Sequence, residues 1–245
     1  MDVTSEDNGP GGAANGFVLG VLGASGGVGS TALATACAVR AAAAGREVVL
    51  VDAHPWSGGI EIMAGTDATP GLRWADLQGV RGDVDPGRLI AELPAGETGF
   101  RCLSWGPHPP GSMPPGPDPV LAAVRAAAEV AVIDLPRPGS RHQEWWSACS
   151  DIVLVVDASV GGIGAASVVA EAVSGLAGLV LRVPAAIDDG DLAAALGVPL
   201  LARLPVDRTV ARCLDRGRAV ASETGPLAEA ADHLLAGVLP GLRAA

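Results

Sequence analysis

The sequence predicts a three-layer α/β domain: a mostly parallel sheet covered by helices on both faces. Three observations predict it. Short apolar runs recur along the 245 residues, among them Phe17 to Leu22, Val130 to Leu135 and Ile152 to Val156. Such near-continuous runs mark strands buried on both faces. Helical segments alternate with them, as parallel strands require. The first run also leads directly into glycines 23, 26, 27 and 29 and then an Ala-rich segment reaching Ala44. Strand, glycine turn and helix in that order form a cradle for an anion, because the turn can curl around it and the helix start offers free N–H groups.

The remaining elements follow in order. Arg46 to Val51 reads as the second strand, ending in Asp52, and a short helix is expected within WSGGIEIMAG after a turn. A helix near Pro86 to Leu93 precedes a third strand candidate, Phe100 to Trp105. Gly106 to Pro119, dense in Pro and Gly, reads as a loop, either a lid or a plain connection. Leu121 to Glu129 is helical, and Val130 to Leu135 (VAVIDL) is a strand carrying Asp134 near its end. Ser140 to Ser150 reads as a short helix, Ile152 to Val156 as a strand and Ile163 to Val173 as a helix. Leu179 to Val183, Asp191 to Leu196 and Leu200 to Leu204 continue the alternation, with Leu200 to Leu204 the last strand. Right-handed crossovers would gather the strand ends, and with them Gly29, Asp52 and Asp134, along one edge. No internal repeat is visible. Residues 1–15 read as a flexible tail ahead of a single domain over 16–245.

The strict phosphate-loop pattern G-x-x-x-x-G-K-[ST] is broken. Ala24 stands at the first Gly and Ser30 at the Lys; Gly29 and Thr31 remain. A glycine turn that merely packs a helix onto a sheet is the plainer alternative. Asp52 and Asp134, each closing a strand beside this loop, suit water-mediated Mg²⁺ binding. Asp52 could equally anchor a loop or cap a helix. The 16 basic residues are all Arg, so no lysine from elsewhere in the chain could serve the loop.

The net charge of −11 argues against general nucleic-acid binding, which needs a basic face. The tail is acidic and glycine-rich, unlike a signal peptide. Arg40, Asp157, Glu171 and Arg182 interrupt every apolar run before the ~18 residues that span a bilayer. The last helix, Leu227 to Leu239, carries Glu229, Asp232 and His233 on its polar side. Docking on the domain's own core is therefore expected rather than direct membrane binding. Cys37, Cys102, Cys149 and Cys213 are scattered and fit free thiols in a cytoplasm. Arg208, Arg212 and Arg216 form a stripe, read as a solvated face paired with Asp207 and Asp215 or as a partner surface.

With these pieces placed, the chain resembles the MinD/ParA group of deviant Walker A P-loop ATPases. It is most similar to the CpaE/TadZ branch, and within it to actinobacterial CpaE-like proteins labelled septum-site-determining. The group's loop reads roughly GKGGVGKT; here it is Ala24-Ser25-Gly26-Gly27-Val28-Gly29-Ser30-Thr31. The resemblance continues through VVLVDAHPWSGGIEIMAG, PGLRW, VAVIDLPR and LPVDRTVARCLDRG. It implies a Rossmann-like P-loop NTPase fold that binds ATP or ADP with Mg²⁺. Ser25, Gly26, Gly27, Val28, Gly29, Ser30, Thr31, Pro205 and Asp207 are then nucleotide-binding, while Thr31, Asp52 and Asp134 hold Mg²⁺ through water. The group's signature Lys falls at Ser25, its usual loop Lys at Ser30, and its water-positioning second Asp at His54.

Those departures imply weak binding and no fast hydrolysis, with Asp52 the only catalytic candidate. The expectation is a degenerate ATPase-fold protein that serves as a localisation or assembly factor. Its partners would be proteins of a Tad-type pilus or secretion system, or of septum-site placement, with recruitment from the cytoplasm to pole or septum. Alternatives are a slow ATPase cycling between monomer and ATP-bound homodimer, with an Arg replacing the lost Lys, and a scaffold that binds no nucleotide. A small-molecule kinase or ligase fits poorly, since those enzymes also need the loop Lys.

Overall fold

A computed structural model describes residues 16–55, 59–78, 80, 82–106, 118–137, 143–183 and 188–239. Its seven strands are β1 (Phe17–Gly23), β2 (Val48–Asp52), β3 (Arg101–Leu103), β4 (Val130–Leu135), β5 (Asp151–Asp157), β6 (Leu176–Arg182) and β7 (Leu200–Leu204). They form one parallel sheet in the order β3-β2-β4-β1-β5-β6-β7. The helices are α1 (Ser30–Ala43), α2 (Ile60–Ala64), α3 (Trp74–Leu77), α4 (Pro86–Glu92), α5 (Asp118–Ala127), α6 (Gln143–Ser147), α7 (Val160–Ala172), α8 (Asp189–Leu196), α9 (Thr209–Asp215) and α10 (Pro226–Val238).

Period-two alternation divides each strand between two cores. Leu19 and Val21 of β1 join Leu50, Val132 and Val153 beneath α1 and α10. Val18 and Leu22 join Val51, Ile133 and Leu154 on the other face, under residues of α4, α5, α7 and α8. Both faces of the central strands are therefore dry, which is why their sequences read as unbroken apolar runs rather than alternating ones. The apolar side of α10 is buried at Leu227, Ala231, Leu234 and Leu235, next to α1. Arg40 of α1 adds a two-pronged contact to Asp232, at 2.8 Å and 2.8 Å. Among the described residues no helix is long and apolar enough to cross a membrane.

The boundaries differ from the sequence reading where local signals mislead. Helix α7 begins three residues earlier than expected, although Gly161, Gly162 and Gly164 disfavour helix. The Ser159 hydroxyl caps it by accepting from the Gly162 N–H at 3.0 Å. β6 also starts earlier, at Leu176. Gly178 within it lets Leu201 approach so closely that a Cβ there would stand 2.2 Å from Leu201 Cγ. The third strand is only Arg101–Leu103, and α3 is a short turn of helix that the sequence did not announce. The expected tail and nearly all of the Pro-rich loop, 107–117, lie outside the described residues.

Candidate functional site

The strand order sets the site. β1 lies between β4 and β5, so the loop after β1 rises beside the carboxyl ends of both neighbours, with β2 next beyond β4. The Ala24 N–H donates to the Val155 carbonyl at 2.9 Å, fastening the start of the loop to β5. Gly27 and Gly29 then take φ of 76° and 95°, left-handed values that favour glycine. α1 begins at Ser30, and its first backbone bond of this kind runs from the Leu33 N–H to the Gly29 carbonyl at 2.9 Å. A turn at Gly26–Gly27 brings the Val28 N–H back toward the Ser25 carbonyl, and among the described residues no acceptor takes the N–H of Ser25, Gly26 or Gly27 or of Gly29 to Ala32. A run of unpaired donors at the start of a 14-residue helix is the donor set that an anion with several oxygens requires.

Gly29 makes a clear test of this geometry. A Cβ there would stand 3.1 Å from Arg182 Nη1 and 3.3 Å from Leu204 Cδ2, besides forcing a β-branched residue to positive φ. Gly29→Val should therefore cost about 1–3 kcal/mol in backbone strain and abolish any anion binding by the loop. A melting curve that superimposes on wild type would reject that account.

At the mouth of the loop, Thr31 Oγ1 donates to Asp134 Oδ2 at 2.7 Å, joining α1 to β4. Asp134 is only 3% exposed. Burial pushes its carboxyl up to about 6, and the Thr31 hydroxyl partly opposes that rise. Oδ1 of Asp134 accepts no hydrogen bond among the described residues. Asp52 sits in register with Asp134 on the adjoining strand and is likewise buried, with Oδ1 accepting the His54 N–H at 2.8 Å. Among the described residues no group of three or more His, Cys, Asp or Glu could cage a metal. A hydroxyl and a carboxylate beside a phosphate cradle instead fit Mg²⁺, which keeps several waters and leans on substrate phosphates.

Sequence reasoning missed two features. The indoles of Trp74 and Trp105 both donate to the Asp52 carbonyl, at 2.8 Å and 3.1 Å. They stack with centroids 5.6 Å apart, and Trp145 meets Trp74 edge-on at 5.7 Å. The available signal was five Trp in a chain with two Phe and no Tyr. The second feature is Arg182, at the end of β6, whose Nη1 donates to the Val28 carbonyl at 3.2 Å.

The structure ties Asp207 to the backbone. Its two oxygens accept from the Thr209 and Leu227 N–H groups, at 2.7 Å and 2.9 Å, anchoring the starts of α9 and α10. Though desolvation opposes it, these bonds leave the carboxyl below its usual value. Pro205 is half-buried beside it. The arginine stripe is divided. Arg212 and Arg216 converge with Arg218 on Glu223, and Arg218 also reaches Glu97. Asp207 and Asp215, the partners expected from sequence, take no part in these ion pairs.

No protein-family profile matches the chain. Two uncharacterised Mycobacterium tuberculosis proteins, from strains CDC 1551 and H37Rv, are 34% identical over 232 residues. That stretch is 92% of this chain, which spans 64% of the length of these relatives. A ParA family ATPase from Chlorobium tepidum superposes with TM-score 0.74 at 15% identity, covering 91% of this chain and 99% of its own. The Aquifex aeolicus MinC:MinD complex gives 0.72 at 16%, covering 89% and 93%. Pyrococcus horikoshii MinD complexed with Mg-ADP gives 0.70 at 17%, covering 93% and 98%. The seven-stranded parallel sheet with its glycine loop is thus the α/β P-loop fold of the MinD and ParA ATPases.

Proposed function

We propose that this chain binds Mg-ATP or Mg-ADP weakly, does not hydrolyse it at a useful rate, and works as a localisation or assembly factor for a protein machinery. One observation carries the reading: the Thr31–Asp134 hydrogen bond, 2.7 Å long, at the mouth of a loop with unpaired amide donors. The loop amides would hold phosphate oxygens, while the Thr31 hydroxyl and Asp134 carboxylate would hold Mg²⁺ through water, with buried Asp52 beside them. Bound Mg²⁺ would supply charge neutralisation.

The residues that are missing set the limits. Ser25 and Ser30 remove two charge-assisted contacts, each worth about 1.5–3 kcal/mol. Together that is about 3–6 kcal/mol, or on the order of 10²- to 10⁴-fold in affinity. Phosphoryl transfer depends almost wholly on positioning and charge neutralisation, so fast turnover is not expected without them. Ser25 is also too short to reach a nucleotide on a second copy, which removes a means for ATP to drive dimerisation.

The motif order supports a place in the CpaE/TadZ branch, and so a role in a Tad-type pilus or secretion system, or in septum-site placement. The MinD of Aquifex aeolicus is seen with the protein MinC; by analogy, the output here is contact with protein partners that recruit the chain to pole or septum. Titration calorimetry with millimolar Mg-ATP and Mg-ADP tests the ligand. Weak, Mg²⁺-dependent heat is expected; no heat and no thermal shift would leave a nucleotide-free scaffold. Light scattering tests the mode of action, with the same mass expected in apo, ADP and ATP conditions. A clean ATP-dependent shift from monomer to dimer would replace this reading by a cycling ATPase. The Arg182 contact with the loop favours that second reading, and turnover lost in Asp134→Ala would establish it.

A further inference from the structure

We infer that Arg182 is the cation that meets the phosphate groups at this loop, in place of the two absent lysines. The inference rests on the nucleotide reading above. A di- or triphosphate carries several negative charges, and neutral amides alone leave most of that charge uncompensated. No lysine exists to compensate it. Arg182 closes β6, two strands from β1, and its side chain crosses to the loop where α1 begins. Nη1 donates to the Val28 carbonyl and stands 3.1 Å from where a Gly29 Cβ would be, so glycine at 29 is what admits the guanidinium. The Val28 bond occupies one N–H of the five that a guanidinium offers.

Its lack of a counter-charge points the same way. Arg40 pairs with Asp232, Arg46 with Glu129 and Arg212 with Glu223. Among the described residues, no carboxylate lies within ion-pair distance of Arg182, although Asp157 is its register partner on β5. A half-buried guanidinium held on a neutral carbonyl, beside unpaired amide donors, is set for an incoming anion. Arginine suits the task because its planar fork stays charged and can take two phosphate oxygens at once.

The test is calorimetric titration of Mg-ADP into the full chain, wild type against R182Q. Glutamine removes the charge, and its amide ends two bonds short of the atom that reaches Val28. R182Q should weaken Mg-ADP binding at least tenfold and flatten its dependence on salt, with the apo protein still unfolding in one cooperative transition. S30K in the R182Q background should recover most of the loss, since it restores a cation at the loop. R182Q binding as tightly as wild type would overturn the inference while leaving the nucleotide site intact. No wild-type heat at millimolar Mg-ADP would instead overturn the nucleotide reading and this inference with it. A second measurement needs no variant: phenylglyoxal labelling of wild type, mapped by peptide mass. Mg-ADP should protect Arg182 and leave exposed Arg88 reactive; equal labelling of Arg182 with and without Mg-ADP would overturn the assignment.

Discussion

Trp74→Ala should lower the free energy of unfolding by about 3–5 kcal/mol, the range for removing a large buried aromatic side chain. Against a total of about 5–15 kcal/mol, that is a substantial share. Trp74 is 2% exposed, stacks on Trp105 and meets Trp145 edge-on, so no neighbour can close the gap without breaking another ring contact. The Asp52 carbonyl would keep the Trp105 indole, so the loss comes mainly from packing. Trp74→Phe is the milder variant: it keeps one aromatic ring but loses the N–H donor and the packing of the second ring, and should cost less than Trp74→Ala. Urea unfolding checks both. A loss under about 1 kcal/mol for Trp74→Ala would mean that the tryptophan cluster does not hold the end of β2.

Asp134→Asn should act in the opposite direction on the ligand-free protein. Burial raises the Asp134 carboxyl from 3.8 to about 6, so the folded state holds that proton more tightly than the unfolded state does. Its favourable contribution is therefore complete below about pH 4 and is lost as pH rises through about 6. A rise of that size corresponds to about 3 kcal/mol. At pH 7.5 the asparagine variant should be more stable than wild type by up to that amount, raising Tm by up to about 6–12 °C for a domain of this size. The advantage should vanish near pH 4. The same substitution should abolish the Mg²⁺ dependence of nucleotide binding, because only the carboxylate attracts a hydrated cation. In wild type, Mg²⁺-dependent binding should weaken as pH falls below about 6. A Tm difference that does not change with pH would remove Asp134 as the buried titrating group.

The fold was legible because burial on both faces writes an unmistakable signature into parallel strands. Val130 to Leu135 and Ile152 to Val156 could be read as strands with no knowledge of their neighbours. Thr31 and Asp134 were legible as parts because each follows a strand-and-turn signal, and the topology then forces them together. Other features lacked any such local signal. The Arg182 contact joins residues 154 positions apart, and nothing near Arg182 in sequence distinguishes it from the other arginines. The tryptophan cluster brings together side chains from three separate segments, around a backbone carbonyl that no side-chain pattern reports. Asp207 likewise gave no local signal for what it holds, the backbone N–H groups that open α9 and α10.

The position of β1 has a consequence for how the protein comes into being. Its hydrogen-bonded neighbours are β4 and β5, which begin at Val130 and Asp151, more than a hundred residues later in the chain. At translation rates of about 5–20 residues per second, β1 and its glycine loop wait roughly 6–20 s on the ribosome before a partner strand exists. Until Val155 emerges to accept from Ala24, the loop is not fastened at its base. Such distant pairings make folding slow and leave an apolar strand exposed meanwhile. Nascent chains stalled before residue 130 should therefore engage chaperones through Phe17–Gly23, and those stalled well past residue 157 should not.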